Sequence, residues 1–270
     1  MLVRDFHQSV DAVLPPETAM QGDAIGLQVA SKRSTVDRVL VCLDVTEEVV
    51  TEALELGCDA ILTFHPLIYS PLARIDRSDR VSRSVYDCIA SDLAVLCVHT
   101  AFDAFSKGTN HILAELLGLT PVRPLVSDMS SASGMGLLAS CSLSYAELVD
   151  RVSDVCAGPV RHCPTTKSHV STVAIVGGSG MSFFNDAVES GADVFITADV
   201  KYHGFLDAKG VIGLIDPGHF EMEQFVPRGL VELLGAAIPS VVFIQSMTNS
   251  NPIRYWDSTT QQTLTFSSHP

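Results

Sequence analysis

The chain has 270 residues, 47% of them hydrophobic and 18% charged, a composition that builds a folded core and excludes an extended disordered protein. Its 17 Lys and Arg face 31 Asp and Glu, a net charge of −14 with no basic tail or stripe, which argues against a partner held through a nucleic-acid backbone. No apolar stretch approaches the roughly 18 to 20 residues of a membrane helix, and Asp5, His7 and Asp11 interrupt the start where a secretory leader needs an apolar core.

The seven cysteines are scattered, mostly within apolar runs such as VLVCLDV and AVLCVHT, and form no C-x-x-C pair. They read as small buried hydrophobes in a reducing compartment, so the expected location is cytoplasmic with no membrane attachment.

The first long element is VLVCLDVTEEVVTEALELGCDAILTFH (39–65): a buried β-branched run, a turn, an amphipathic helix, a glycine at the helix end and a second apolar run. Asp44 or Thr46 is placed to cap the helix, with Glu47 and Glu48 in its positive first turn. His65 ends the second run just before Pro66, at a strand end. Arg74, Arg77, Arg80 and Arg83 then recur every three residues, a pattern expected to be a solvated helix face before a phosphate or subunit site. LAVLCVHTAFD (93–103) is another buried strand, followed by His99 and, four residues later, Asp103. SDMSSASGMG (127–136) reads as a linker or exposed loop.

VAIVGGSGMSFFNDAVESGADVFITAD (173–199) repeats the grammar of 39–65 without a gap at an offset of 134, so that Ala53, Gly57, Asp59 and Thr63 fall on Ala187, Gly191, Asp193 and Thr197, and His65 on Asp199. That is an internal duplication, with Ser179 or Ser182 as the expected helix cap. Gly177, Gly178 and Gly180 follow the strand as in nucleotide folds. The dinucleotide fingerprint counted from Gly178 nevertheless meets Phe183 at its third glycine, and a nucleophile elbow from Gly177 meets Met181 at its last. A tight turn is the plainer reading, ahead of an anion nest. VIGLIDPGHFEME (211–223) places His219 and then Glu223 after a further strand, and the chain closes with VVFI (241–244) and a polar tail expected to pair as an edge or fray.

The fold class expected is α/β, two pseudo-repeated lobes of roughly 1–126 and 127–270 within one unit, each with βαβ units and polar H-x-x-x-[D/E] elements past the carboxyl ends of strands, where open α/β sheets put ligands. A lone strand-end histidine is ordinarily just hydrogen-bonded. His65, Asp103, His219 and Glu223 at equivalent ends of duplicated units are together a metal-ligand set, and without thiolate they suit one or two divalent Zn, Mn, Fe or Ni ions. His99, Asp199 and His203 are the candidates to orient ligands or carry protons, with simple loop hydrogen bonding as the alternative. Lys201 and Tyr202 are weaker candidates for contacting an anionic substrate.

The segments GDAIGLQVA (22–30), GCDAILTFHPL (57–67), HTAFDAFSKGTNHILAELLGL (99–119), VGGSG (176–180), GADVFITADVKYH (191–203) and DPGHFEME (216–223) together resemble the Ngg-one-interacting factor three family, also labelled GTP cyclohydrolase type 2 homologues. The resemblance implies a two-lobed α/β fold in the short form without an inserted domain, a ring-shaped homohexamer and a dinuclear divalent metal centre. It assigns one ion to His65, Asp103 and Glu223, and a second to His219, the shared Glu223 and a histidine at position 64. Here that position is Phe64, so one strong site and one weak or water-completed site are expected. Ala198 is a further departure, standing where the family usually has glycine. The function expected is metal-dependent hydrolysis of a small, possibly nucleotide, substrate by a water whose pKa the ion lowers. The alternatives are a non-catalytic metal-binding protein acting through protein partners and, third, a nucleotide-binding regulator using the glycine loop.

Overall fold

The computed structural model describes residues 1–127, 134–248, 251–257 and 262–264, and the chain forms a mixed α/β fold in two compact units, Met1–Phe105 with Val226–Asn249 and Ser106–Phe225 with Ser250–Pro270. The first unit runs through α1 (Val3–Val13), β1 (Gly26–Val29), β2 (Arg38–Cys42), α2 (Glu47–Glu55), β3 (Ala60–Thr63), α3 (Arg80–Ala90), β4 (Ala94–Cys97) and α4 (His99–Asp103). The second takes up α5 (Thr109–Leu116), β5 (Thr120–Arg123), β6 (Val126–Ser127), β7 (Gly134–Met135), β8 (Leu137–Leu143), α6 (Tyr145–Cys156), β9 (Arg161–Cys163), β10 (Val170–Ile175), α7 (Phe184–Glu189), β11 (Val194–Ile196), α8 (Tyr202–Ala208), β12 (Gly213–Asp216) and α9 (His219–Glu223). The chain returns to the first unit for α10 (Val226–Ala237) and β13 (Val242–Gln245), and ends in the second with β14 (Tyr255–Asp257) and β15 (Gln262–Leu264).

The first unit is built on the sheet β1-β4-β3-β2-β13. Only β1 is antiparallel to its neighbour; β4, β3, β2 and β13 run parallel. A parallel sheet is covered on both faces, so its strands read as continuous apolar runs with no polar alternation. Leu40, Cys42, Ile61 and Val95 pack on one face with Val49, Val50 and Ala53 of α2 and Val85 and Cys88 of α3, while α10 lies on β2 and β13.

The second unit is built on β5-β8-β10-β11-β12-β9, in which β10, β11 and β12 are parallel and the rest antiparallel. Here alternate residues separate into two cores: Val173, Ile175, Val194, Ile196 and Ile215 on one face, and Ala174, Val176, Phe195 and Leu214 on the other. Of the segment expected to be a linker, residues 128–133 lie outside the described residues, and its flanks pair as the short strands β6 and β7. In the tail, β14 pairs antiparallel with β15; residues 258–261 and 265–270 lie outside the described residues.

The two aligned aspartates do the same backbone work in each unit. Asp59 Oδ2 accepts from the amides of Asp37 (2.9 Å) and Arg38 (3.1 Å) at the entry to β2. Asp193 Oδ2 accepts from those of Ser171 (2.8 Å) and Thr172 (3.0 Å) in β10. Each acid therefore clamps the entry to the preceding parallel strand, and the two pairs of partners are themselves 134 residues apart. Gly57 and Gly191 follow α2 and α7 with φ of +65° and +79°, the left-handed position that glycine occupies without a Cβ penalty.

Three local expectations are settled by geometry. Thr46, not Asp44, caps α2, its side chain accepting from the Val49 amide at 3.3 Å. Neither Ser179 nor Ser182 caps the second helix, which is entered through a 3-10 turn at Met181–Phe183 with no side-chain cap. The arginine series is not one helix face, because α3 begins at Arg80 and leaves Arg74 and Arg77 ahead of it. Arg83 pairs with Glu47 at 2.6 Å and Arg77 with Asp87 at 2.5 Å.

Candidate metal centre

In each unit the third parallel strand leads into a five-residue helix that opens on a histidine and closes on an acid: β4 into α4, His99 to Asp103, and β12 into α9, His219 to Glu223. Residues four apart on a helix share a face. In α9 this brings His219 Nε2 within 3.0 Å of Glu223 Oε2, with the Glu223 side chain only 3% exposed.

On its other side, His219 Nδ1 lies 2.7 Å from Asp199 Oδ2. A carboxylate accepts only, so the Nδ1 nitrogen carries the proton and Nε2 is left to face Glu223 and any cation there. Asp199 adopts a left-handed backbone at φ +56°, a conformation short polar residues tolerate better than most. Asp199 thus sits against an imidazole, where a carboxylate orients the ring and raises its basicity as a ligand.

His65 lies two residues beyond β3, its backbone amide donating to Leu43 O at 2.8 Å. Its Nδ1 faces Asp44 Oδ1 at 3.2 Å, with the imidazole 19% exposed. Asp44 is therefore the imidazole's partner and not a helix cap. His99 is held the same way: its Nδ1 faces both oxygens of Asp23 at 2.9 and 3.0 Å. Asp23 also accepts from the Thr100 amide at 3.2 Å and from the Thr100 hydroxyl. Burial pushes the Asp23 carboxyl up, but the hydrogen bonds from His99 and Thr100 and the charge of His99 outweigh it and hold the group down at about 2. Three of the candidate histidines, His65, His99 and His219, thus meet an aspartate at Nδ1, an arrangement that fixes the imidazole tautomer.

Phe64, at the position where the resemblance implies a second histidine, is fully buried. Its ring packs beside His65 and edge-on to His99 and Phe102, at centroid distances of 5.0, 5.5 and 6.5 Å. No nitrogen donor is available there. His203 and its neighbours Lys201 and Tyr202 are exposed at the start of α8.

The glycine loop does not have the form of an open anion nest. A Cβ on Gly178 (φ +59°) would lie 2.6 Å from Glu223 Oε1 and 3.1 Å from His219 Nε2, so a carboxylate and an imidazole of this chain occupy its open side. Sequence reasoning missed this close approach, together with Asp23 as the partner of His99 and Thr197 as the residue that ties the loop down. Asp23 lay within a quoted segment, GDAIGLQVA, yet no local pattern marks a partner 76 residues away.

The donor set fits a divalent d-block ion. Imidazole nitrogen and carboxylate oxygen bind such ions at about 2.0–2.2 Å, so two adjacent ligands of one ion stand about 3 Å apart, and His219 Nε2 and Glu223 Oε2 are 3.0 Å apart. The bare Cα of Gly178 leaves the carboxylate room to sit there.

A family model described as Duf34/NIF3 (NGG1p interacting factor 3) matches residues 1–252. Among curated relatives, a Lactococcus lactis protein named GTP cyclohydrolase 1 type 2 homolog is 31% identical over 259 residues, covering 93% of this chain and 98% of that protein. A Drosophila melanogaster protein named NIF3-like protein 1 is 32% identical over 202 residues, covering 72% of this chain and 68% of its own. Among solved structures, the crystal structure of Staphylococcus aureus protein SA1388 superposes with a TM-score of 0.88 at 26% identity, over 94% of this chain and 99% of that one.

Proposed function

The chain belongs to the Duf34/NIF3 family, and from that premise we propose that it is a divalent-metal-dependent hydrolase acting on a small substrate, with His219 and Glu223 as metal donors. The carrying observation is donor chemistry within the second unit: His219 Nε2 and the buried Glu223 Oε2 stand 3.0 Å apart, and the His219 imidazole has an aspartate at Nδ1.

A bound divalent ion supplies Lewis acidity and lowers the pKa of a coordinated water. The protein's own residues do the rest. Asp199 keeps the Nε2 nitrogen of His219 turned to Glu223, and buried Glu223 presents its carboxylate without competition from bulk water. His99, its Nδ1 against Asp23, is the proton carrier of this reading, and His203, exposed on α8, is the other candidate. A purine substrate such as GTP is part of the proposal only through the relatives' names, and a homohexameric ring only through the sequence resemblance; light scattering would test the ring against six times the 28.9 kDa chain mass.

A second reading, a non-catalytic metal-binding protein acting through protein partners, is favoured by the buried ring of Phe64, since a two-metal clamp lacks that nitrogen. The experiment that separates them measures metal per chain by elemental analysis for the parent and Glu223→Gln, before and after chelation and refilling with Mn, Zn, Fe or Ni. The same samples are then assayed on a hydrolysis panel that includes GTP. Near-stoichiometric metal lost with Glu223 and accompanied by turnover is the expected result. Bound metal without turnover moves the assignment to the binding protein, and no stoichiometric metal under any refilling ends the metal reading.

A further inference from the structure

The glycine loop after β10 is anchored at both ends and at its centre. Gly177 N donates to Asn110 Oδ1 at 2.7 Å. The carbonyl of Gly178 accepts from the Ala198 amide at 2.8 Å and from the Thr197 hydroxyl at 3.0 Å. That same hydroxyl accepts from the Gly180 amide at 2.8 Å. Thr197 is wholly buried, so one hydroxyl, away from water, locks the loop's curvature from inside.

Glu223 and His219 rest on the outer side of this loop. A Cβ at Gly178 would come within 2.6 Å of Glu223 Oε1, closer than such contacts come, and within a tight 3.1 Å of both Cε1 and Nε2 of His219. A Cβ at Gly177 would stand 3.6 Å from the same Oε1. The loop is therefore a wall, and the position of the wall sets how closely carboxylate and imidazole approach each other.

Resting on the metal-binding reading above, we propose that the Gly177–Gly180 loop, locked by Thr197, is a positioning element that fixes the Glu223–His219 bite and thereby favours small d-block divalent ions over calcium. The pair offers an imidazole nitrogen beside a carboxylate oxygen, a mix that d-block ions bind at about 2.0–2.2 Å, while calcium takes 6 to 8 oxygens at about 2.3–2.6 Å, so holding the nitrogen in place is what favours the smaller ions. Gly178 and Thr197 do not touch the ion; they act through the two ligands that do.

The test is calorimetric titration of the chelated full-length protein with Mn, Zn and Ca, alongside thermal unfolding of each metal-free variant. Gly178→Ala is expected to weaken Mn and Zn binding tenfold or more, the scale typical of groups that orient ligands, and to shrink the preference over Ca. Gly191→Ala is the matched control: its φ of +79° carries the same backbone strain, yet nothing lies within 4 Å of the added Cβ, so affinity should not move. Thr197→Val, which keeps the shape and removes the hydroxyl, should weaken binding several-fold, and Thr197→Ser should restore it. Should Gly178→Ala not fold, the Thr197 pair decides the matter. A folded Gly178→Ala or Thr197→Val protein with parental Mn and Zn affinities overturns the positioning role alone. A parent chain that binds none of the three ions overturns the metal reading and this proposal with it.

Discussion

At the scale of single residues, the candidate centre is organised by aspartates that direct histidines. His65, His99 and His219 each turn Nδ1 to a carboxylate, so the chemistry of each is set by a neighbour as much as by the imidazole itself. Phe64 is the counterpart that no charge supports. Its ring is one of the largest fully buried side chains, and Phe64→Ala should cost about 3–5 kcal/mol in denaturant unfolding; a change under 1 kcal/mol would show that the ring is not a core element. The cysteines offer a second check. Six of the seven are buried and Cys141 is partly exposed. Burial pushes the thiols of Cys88 and Cys156 up to about 12, and those of Cys42 and Cys97 higher still. Because the thiolate is the reacting form, a thiol reagent at neutral pH should modify Cys141 first and the buried six only on unfolding. Fast labelling of several thiols in the native protein would contradict the packing described.

At the scale of elements, helix ends and strand entries carry energy that can be measured. Ser144 caps α6 in a reciprocal capping box with Glu147, its hydroxyl accepting from the Glu147 amide at 3.2 Å while Glu147 Oε2 accepts from the Ser144 amide at 2.7 Å. Ser144→Ala should lower stability by about 1 kcal/mol, read as a shift in denaturant midpoint with an unchanged m-value. Asp193 holds the entry to β10 through two amides, the Ser171 hydroxyl and Lys167. Burial pushes its carboxyl up, but these hydrogen bonds prevail and bring it down to about 2, from an ordinary value of 3.8. A folded-state value below the unfolded one means that this stabilisation is complete above about pH 4 and is lost as pH falls from 4 toward 2. Asp193→Asn should therefore lower the melting temperature at pH 7 and flatten its decline between pH 4 and 2; a parallel decline in parent and variant would remove Asp193 from the acid response. Much of this level was legible in the sequence. The paired apolar runs and Gly57 and Gly191 at helix ends follow from steric and hydrogen-bonding rules acting over a few residues, whereas the choice of Thr46 over Asp44 as the cap of α2 does not. Ser179 and Ser182 had the right chemistry for a cap and the wrong context, because the chain enters α7 through a 3-10 turn, a choice made by packing and not by propensity.

At the scale of the whole molecule, no helix among the described residues is long and apolar enough to cross a membrane, and both sheets are covered by apolar side chains on their parallel strands. A ligand bound only by the folded state stabilises it by mass action, about 2.7 kcal/mol at a hundredfold excess over its dissociation constant. Metal-loaded protein should accordingly melt several degrees higher than chelated protein, and Glu223→Gln should erase that difference; equal melting temperatures for loaded and chelated parent protein would count against a bound ion. The sequence by itself determined the mixed α/β class, the two parallel βαβ units and the family, because apolar periodicity and turn chemistry act locally along the chain. Only the tertiary structure decided that Asp44 serves His65 and not a helix, that Asp23 holds His99 from 76 residues away, that Asp199 orients His219, and that Gly178 is the wall on which Glu223 rests. Those relations depend on side-chain reach across strands and loops distant in sequence. The free energy of a hydrogen bond or a steric limit is set by separation in space, which local pattern does not encode.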